Sequence, residues 1–221
     1  MKLGLCEEPV KDVLNQQLKA GGLGMSFDQL ARQGYYKVPF RYRKYEERGF
    51  KTPTGKIELY STRFEEMGYA PLPYYEEPPE SPVSAPEVAR EFPLVLTTGA
   101  RIPYFFNSEH RQLPNLRKAY REPRAEIHPE TAARYGIAQN DWMWIETRRG
   151  RIRQKAKFAP GSDPRVIHAE HGWWFPEEGA PEYGVWRSNV NVLTDNTPPY
   201  DPQMGTYQLR GLLCRVEKVP D

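Results

Sequence analysis

Residues 141–158, DWMWIETRRGRIRQKAKF, decide the fold. The second half alternates strictly: Ile152, Gln154, Ala156 and Phe158 fall on one side, and Arg151, Arg153, Lys155 and Lys157 on the other. A repeat of two is the period of a strand with one face buried and one in water. The first half, Trp142–Thr147, has the β-branched and aromatic content of a strand, and Arg149-Gly150 supplies the turn. The stretch predicts a hairpin whose basic row is a solvated strand face.

The same signals continue on both sides. PLVLTTG is a short apolar run ending at a turn, and RAEIH is another. PETAARYGI opens with Pro129 at a first helical position and closes at Gly136, which predicts a helix of one or two turns. PRVIHAEHGWW predicts a strand running into a glycine turn, and YQLRGLLCRVEKV a closing strand. Six or so short strands, one small helix and regular glycine breaks predict a mainly β protein built as a closed barrel.

Upstream, VKDVLNQQLKA carries helical spacing at Val10, Val13, Leu14 and Leu18 and stops at Gly21-Gly22. Ser26 and Gln29 form a capping box for a second short helix that ends at Gly34. KTPTGKIELYS predicts a turn at 53–55 and a strand at 56–60. Seven prolines then fall within 71–93 among acidic residues, the composition of an extended arm. The expected organisation is a segment of a preceding domain at 1–70, a Pro-rich linker at 71–91 and a β-barrel domain at 92–221.

Bulk properties narrow the function classes. The net charge is +2, from 31 basic and 29 acidic residues, so global charge does not point to nucleic acid. With 22 prolines, long helices are excluded. Cys6 and Cys214 lie near opposite ends, where a disulfide is possible without defining a framework, and there is no CxxC pair for zinc or iron–sulfur. No apolar run reaches membrane-spanning length, so direct membrane insertion is not expected.

TTGARIPYFFNSEHRQLPNLR, residues 97–117, is not a tidy amphipathic helix. A glycine at the end of a buried strand allows close approach of a ligand to the backbone, and exposed N–H groups can hold an anion. Thr98, Gly99 and Arg101, with Arg111 nearby, suit phosphate. The competing reading is a strand-end turn with solvated arginines. His168 and His171 would point apart on a strand, so no shared metal is expected. His171-Gly172-Trp173-Trp174 reads as a ring-lined wall, or as core tryptophans beside a packed histidine. His110 reads as a loop residue with a hydrogen bond. If 188–195 is extended, Asn189 and Asn191 share a face and offer amides able to read a heterocycle edge. No nucleophile–base pair, Walker motif or GxGxxG is present, so no catalytic residue is assigned. These features describe a polar, aromatic rim suited to a flat anion. Two other readings fit such a rim: single-stranded nucleic acid stacked on Tyr104, Phe105, Trp173 and Trp174, or carbohydrate on exposed tryptophans.

Taken in order, KTPTGKIELYS, LTTGARIPYFFNSEHRQLPNLR, AEIHPETAARYGIAQNDWMWIETRRGRIRQKAKF and SNVNVLTD resemble the carboxy-terminal region of molybdopterin oxidoreductases of the dimethyl-sulfoxide-reductase family. The resemblance covers most of 50–218. It implies a double-psi β-barrel that holds the dinucleotide half of molybdopterin guanine dinucleotide. Thr98, Gly99 and Arg101 would meet the pyrophosphate or pterin, and Ser108, His110 and Arg111 would line the same cofactor. His171, Gly172, Trp173, Asn189 and Asn191 would lie on the pterin and nucleotide side, with Gln208 and Arg210 as polar and basic contacts. Arg210 stands where the family has a lysine, and Asn107 where it often has a histidine. The resemblance further implies a fragment of a longer enzyme that is not catalytic alone, of the thiosulfate/polysulfide-reductase-like or acetylene-hydratase-like branch. The cofactor would be in its bis form, shared with the remaining domains, with molybdenum or tungsten and, as in many members, a 4Fe-4S cluster upstream. Partners would be those domains and an iron–sulfur electron-transfer subunit, not nucleic acid. Any export signal would precede this chain, so both the cytoplasm and the periplasm remain open.

Overall fold

The computed structural model describes residues 9–220 and divides the chain into two compact units, the first ending at Thr62 and the second beginning at Arg63. In the first unit, α1 (Val10–Ala20) and α2 (Phe27–Gln33) form where helical spacing predicts them. The Ser26 hydroxyl accepts from the Gln29 amide, and the Gln29 side chain accepts from the Ser26 amide, so both halves of the capping box are present. A one-turn helix, α3 (Tyr45–Arg48), follows. The strand expected at 56–60 does not form. The segment closes on itself instead: the Phe50 amide donates to the Gly55 carbonyl at 2.8 Å, and the Thr54 amide to Glu58 at 3.0 Å. A strand needs a neighbour to satisfy its backbone groups, and none lies beside these residues among those described. Cys6 lies outside the described residues, while Cys214 is fully buried and a free thiol whose ionisation burial pushes up.

The second unit is a closed six-stranded barrel, the architecture expected from the strand spacing. Its strands are β1 (Leu94–Ala100), β2 (Arg124–Ile127), β3 (Trp142–Thr147), β4 (Gly150–Phe158), β5 (Val166–Glu170) and β6 (Leu212–Lys218). Around the barrel the order is β1-β5-β2-β4-β3-β6, with β1/β5 and β2/β4 parallel and every other pair antiparallel. Closure removes the exposed edges that short strands would otherwise present. The period-two rows point as predicted: Ile152, Gln154 and Ala156 are fully buried, and Arg151 is exposed. Leu96, Ile127, Met143, Ile145, Ile167 and Leu212 fill the interior beside them. Each such side chain contributes about 1.5–3 kcal/mol on burial.

Short helices lie between the strands and before them. They are α4 (Thr62–Glu66), α5 (Pro86–Glu91), α6 (Pro114–Ala119), α7 (Pro129–Arg134) and α8 (Val185–Ser188). The Pro129 helix is α7. A proline also opens α6, inside the 97–117 stretch that carries no amphipathic pattern; its first-turn proline is the signal for it.

The Pro-rich segment, expected as an extended linker or arm, docks on the barrel. Its second half is strapped to the barrel by one buried carboxylate. Glu80, 3% exposed, accepts from Arg149 at 2.8 Å, from Arg148 at 3.1 Å and from the Leu213 amide at 3.0 Å. Phe92 and Ala85 pack on Leu213, with Val88 of α5 against them. Proline cannot join a sheet ladder, but it leaves the chain extended enough for side chains to dock. The compact unit therefore begins before the arm and not after it.

Candidate functional site

Parallel pairing carries the ends of β1 and β5 to the same rim, and antiparallel pairing brings the start of β6 beside them. At this rim the β1/β5 register slips between Thr98 and Ala100, with Gly99 as the extra residue at φ +98°. A side chain would be strained at that φ. A Cβ there would also lie 3.3 Å from Nη2 of Arg210. The Thr98 hydroxyl donates to the Leu209 carbonyl at 2.6 Å and the Gly211 amide to the Leu96 carbonyl at 2.9 Å, so β1 holds the turn before β6 against itself. Arg101 and Arg210 are both exposed at this rim.

Beside Gly99 lies a cleft of about 270 Å³ lined by Arg101, Ile102, Pro103, Phe105, Phe106, Asn107 and His171. Its two walls are the loop after β1 and the loop after β5, which touch closely. Gly172 has φ +66°, and a Cβ on it would lie 3.1 Å from the Ser108 nitrogen. The Trp174 indole donates to the Ser108 carbonyl at 2.6 Å. His171 Nδ1 faces the Ala100 carbonyl at 3.2 Å, and its Nε2 the Asn107 side chain at 3.1 Å. A carbonyl can only accept, so Nδ1 carries the proton in the contact with Ala100, and the Asn107 atom facing Nε2 is its side-chain oxygen. Asn107 and His110 both have positive φ, at 50° and 74°, a conformation that Asn and His adopt more readily than most residues.

Other sequence-assigned residues face inward or serve the scaffold. Arg111 is fully buried, donating to the Asn107 carbonyl at 2.8 Å and, more weakly, to the His171 carbonyl at 3.4 Å. Trp173 is also fully buried, 6.1 Å from the Phe105 ring centroid. Trp173 and Phe105, two of the four rings on which the nucleic-acid reading rested, lie in the interior and cannot stack a nucleobase from solvent. The Gln208 amide pairs with the backbone of Glu80 in both directions, at 2.9 and 2.8 Å, and also reaches the Gly211 carbonyl. The extended reading of 188–195 is overturned: α8 leads into a 3-10 turn at Val190–Val192. Asn189 caps that turn by accepting from the Asn191 amide, and its NH2 donates to the Trp173 carbonyl at 3.1 Å. Asn is a strong helix-capping residue, and here local capping outcompetes the strand. Asn191 is exposed, so the two amides do not act as a pair.

Beneath the cleft, Glu170 at the end of β5 is 7% exposed and accepts from the Tyr120 hydroxyl and from the Arg124 amide at 2.9 Å. Burial raises its carboxyl to about 7, while those donors and the Arg124 cation pull it down. Gln154, inside the barrel, holds the backbone of Glu170 through both amide and carbonyl, at 3.1 and 2.9 Å. Sequence reasoning missed both residues. The signal for Gln154 was a lone amide in the apolar row of β4. Among the described residues no group of three His, Cys, Asp or Glu side chains is placed to hold a metal, and no helix is long and apolar enough to cross a membrane.

Residues 94–213 match the family described as Molydopterin dinucleotide binding domain. The chain belongs to that family. It is 45% identical over 176 residues to dopamine dehydroxylase from Eggerthella lenta, covering 77% of this chain and 17% of the relative. To acetylene hydratase from Syntrophotalea acetylenica it is 39% identical over 228 residues, covering 99% of this chain and 31% of the relative. The solved structure of acetylene hydratase from Pelobacter acetylenicus superposes with a TM-score of 0.77 at 34% identity, covering 95% of this chain and 29% of that one. The chain thus spans less than a third of the length of these relatives. The family's cofactor is a molybdopterin, and the rim suits its anionic, flat character: a glycine bulge open to close approach, two exposed arginines and an aromatic-walled cleft meet at one place.

Proposed function

We propose that this chain is the carboxy-terminal cofactor-holding part of a molybdenum- or tungsten-containing oxidoreductase. In this reading it grips the dinucleotide half of molybdopterin guanine dinucleotide. The observation that carries it is the Gly99 bulge, where the backbone is bare and the Arg210 guanidinium stands 3.3 Å from the missing Cβ, with exposed Arg101 two residues on. A guanidinium beside a bare glycine, with a second exposed arginine two residues along the chain, suits a pyrophosphate. Thr98, Gly99, Arg101 and Arg210 are assigned to that anion. Ser108, His110, His171 and Gly172 are assigned to the neighbouring cleft wall, and Asn191 to the outer edge. Arg111, Trp173, Asn189 and Gln208 support that surface from within.

When bound, the group supplies a redox-active metal centre, and the protein supplies orientation and charge. The metal's protein ligand and the second half of a bis cofactor are assigned to the remaining domains. A 4Fe-4S cluster is assigned to the upstream portion, and an iron–sulfur electron-transfer subunit is proposed as a separate partner. The match along 99% of this chain supports the acetylene-hydratase-like branch over the thiosulfate/polysulfide-reductase-like one.

The test is to isolate the polypeptide that contains this chain from its source cells and measure its mass, its metal content and the nucleotide released by acid hydrolysis. The expected result is a much larger protein containing molybdenum or tungsten together with guanosine monophosphate. A metal-free product of this chain's own mass, with no guanosine monophosphate, would overturn the reading.

A further inference from the structure

Arg111 belongs to neither wall surface of the cleft, yet it touches both walls from behind. Its guanidinium carbon lies 4.8 Å from the ring centroids of both Phe105 and Trp173, so the cation is held between two buried rings. Nη1 donates to the Asn107 carbonyl at 2.8 Å, on the loop after β1. Nη2 reaches the His171 carbonyl at 3.4 Å, on the loop after β5. Nε has no partner. The side chain is 0% exposed, so no N–H faces the cleft that Asn107 and His171 line.

A buried charge without a bonded carboxylate is costly, and it persists where its geometry is needed. Arginine alone combines a flat face for two rings with separate N–H arms for two carbonyls. The two carbonyls belong to Asn107 and His171, the residues whose side chains already meet at 3.1 Å across the cleft. Pinning both backbones sets the spacing of that pair.

We infer that Arg111 is a positioning residue: an internal cationic pin that fixes the β1 and β5 loops to each other and does not itself meet the ligand. Its consequence for cofactor binding rests on the function proposed above; the pinning itself does not. A lysine retains the charge but has a single ammonium, which cannot satisfy both carbonyls while lying flat between the rings.

Hydrogen–deuterium exchange on the full chain, freed of cofactor, tests this with R111M, R111K and R101A. R111M is expected to speed exchange about tenfold in both 101–113 and 171–176, the loss that follows from removing a charge-assisted hydrogen bond, with the strands of the barrel unchanged. R111K is expected to restore protection to 101–113 only, and R101A to leave both loops as in the wild type. Wild-type exchange at both loops in R111M would overturn the inference. So would full protection of both loops by R111K, which covers the case where R111M does not fold. A difference that emerges only in cofactor-loaded protein would make Arg111 a ligand contact and overturn it too. Loosened loops in R111M, in a protein found to contain no molybdenum, tungsten or guanine nucleotide, would keep the pin while sinking the cofactor reading.

Discussion

The Arg210 guanidinium stands 3.3 Å from where Gly99 would carry a Cβ, and Gly99 holds φ +98° in the bulge that ends β1. The glycine thus serves the chain twice, by adopting a backbone that L side chains avoid and by leaving the arginine its place. G99A is expected to destabilise the protein by about 1–2 kcal/mol through backbone strain and to displace Arg210. Chemical denaturation measures the first effect. An unchanged midpoint would mean that the bulge relaxes without strain.

Arg101 is exposed at the same rim. R101A in the full-length protein is expected to lower cofactor affinity about tenfold or more, the range of a lost charge-assisted contact, with the melting temperature of the cofactor-free form unchanged. Metal content after gel filtration reads the first quantity. Wild-type occupancy would remove Arg101 from the site.

Glu80 anchors the Pro-rich strap. Its carboxylate is 3% exposed and faces Arg148, Arg149 and the Leu213 amide. E80A leaves Arg149 with only Asp195, at 3.3 Å, and leaves a buried amide unpaired. The expected cost is about 3 kcal/mol. Limited proteolysis should cut first within 71–91 in this variant, and cleavage elsewhere at wild-type rates would count against the strap.

Glu170 gives the fold a pH dependence near neutrality. Burial raises its carboxyl to about 7 in the folded chain, against about 4.3 when unfolded. The folded state therefore holds the proton more tightly, and stability falls as pH rises from about 4.3 to about 7. The full effect is at most about 4 kcal/mol. E170Q keeps an acceptor for the Arg124 amide, an NH2 for Tyr120 and no charge. It is expected to flatten the denaturation midpoint across that interval, and a slope equal to the wild type's would assign the dependence to other groups.

Much of the barrel was legible because its rules are local. Alternation in 151–158 named the inward row, and Pro129 with Gly136 bounded α7. The strand at 56–60 was misread because β content alone cannot provide a neighbour. Arg111 and Asn189 carry donors suited to a cofactor site, and the family resemblance implies Gln208 there as well. In the structure those donors meet carbonyls from distant parts of the chain: His171 for Arg111, Glu80 for Gln208 and Trp173 for Asn189.

The sequence by itself determined the strand periods, the turn glycines, the caps and the ordered motifs that mark the family, since each depends on neighbours within a few residues. Only the tertiary structure decided which polar side chains face the cleft and which hold it up. Gln208 and Glu80 are 128 residues apart in the chain, and their pairing exists only once the barrel has closed and the strap lies across it. A donor's role depends on whether water or a buried carbonyl is its alternative partner, and burial is a property of the whole fold.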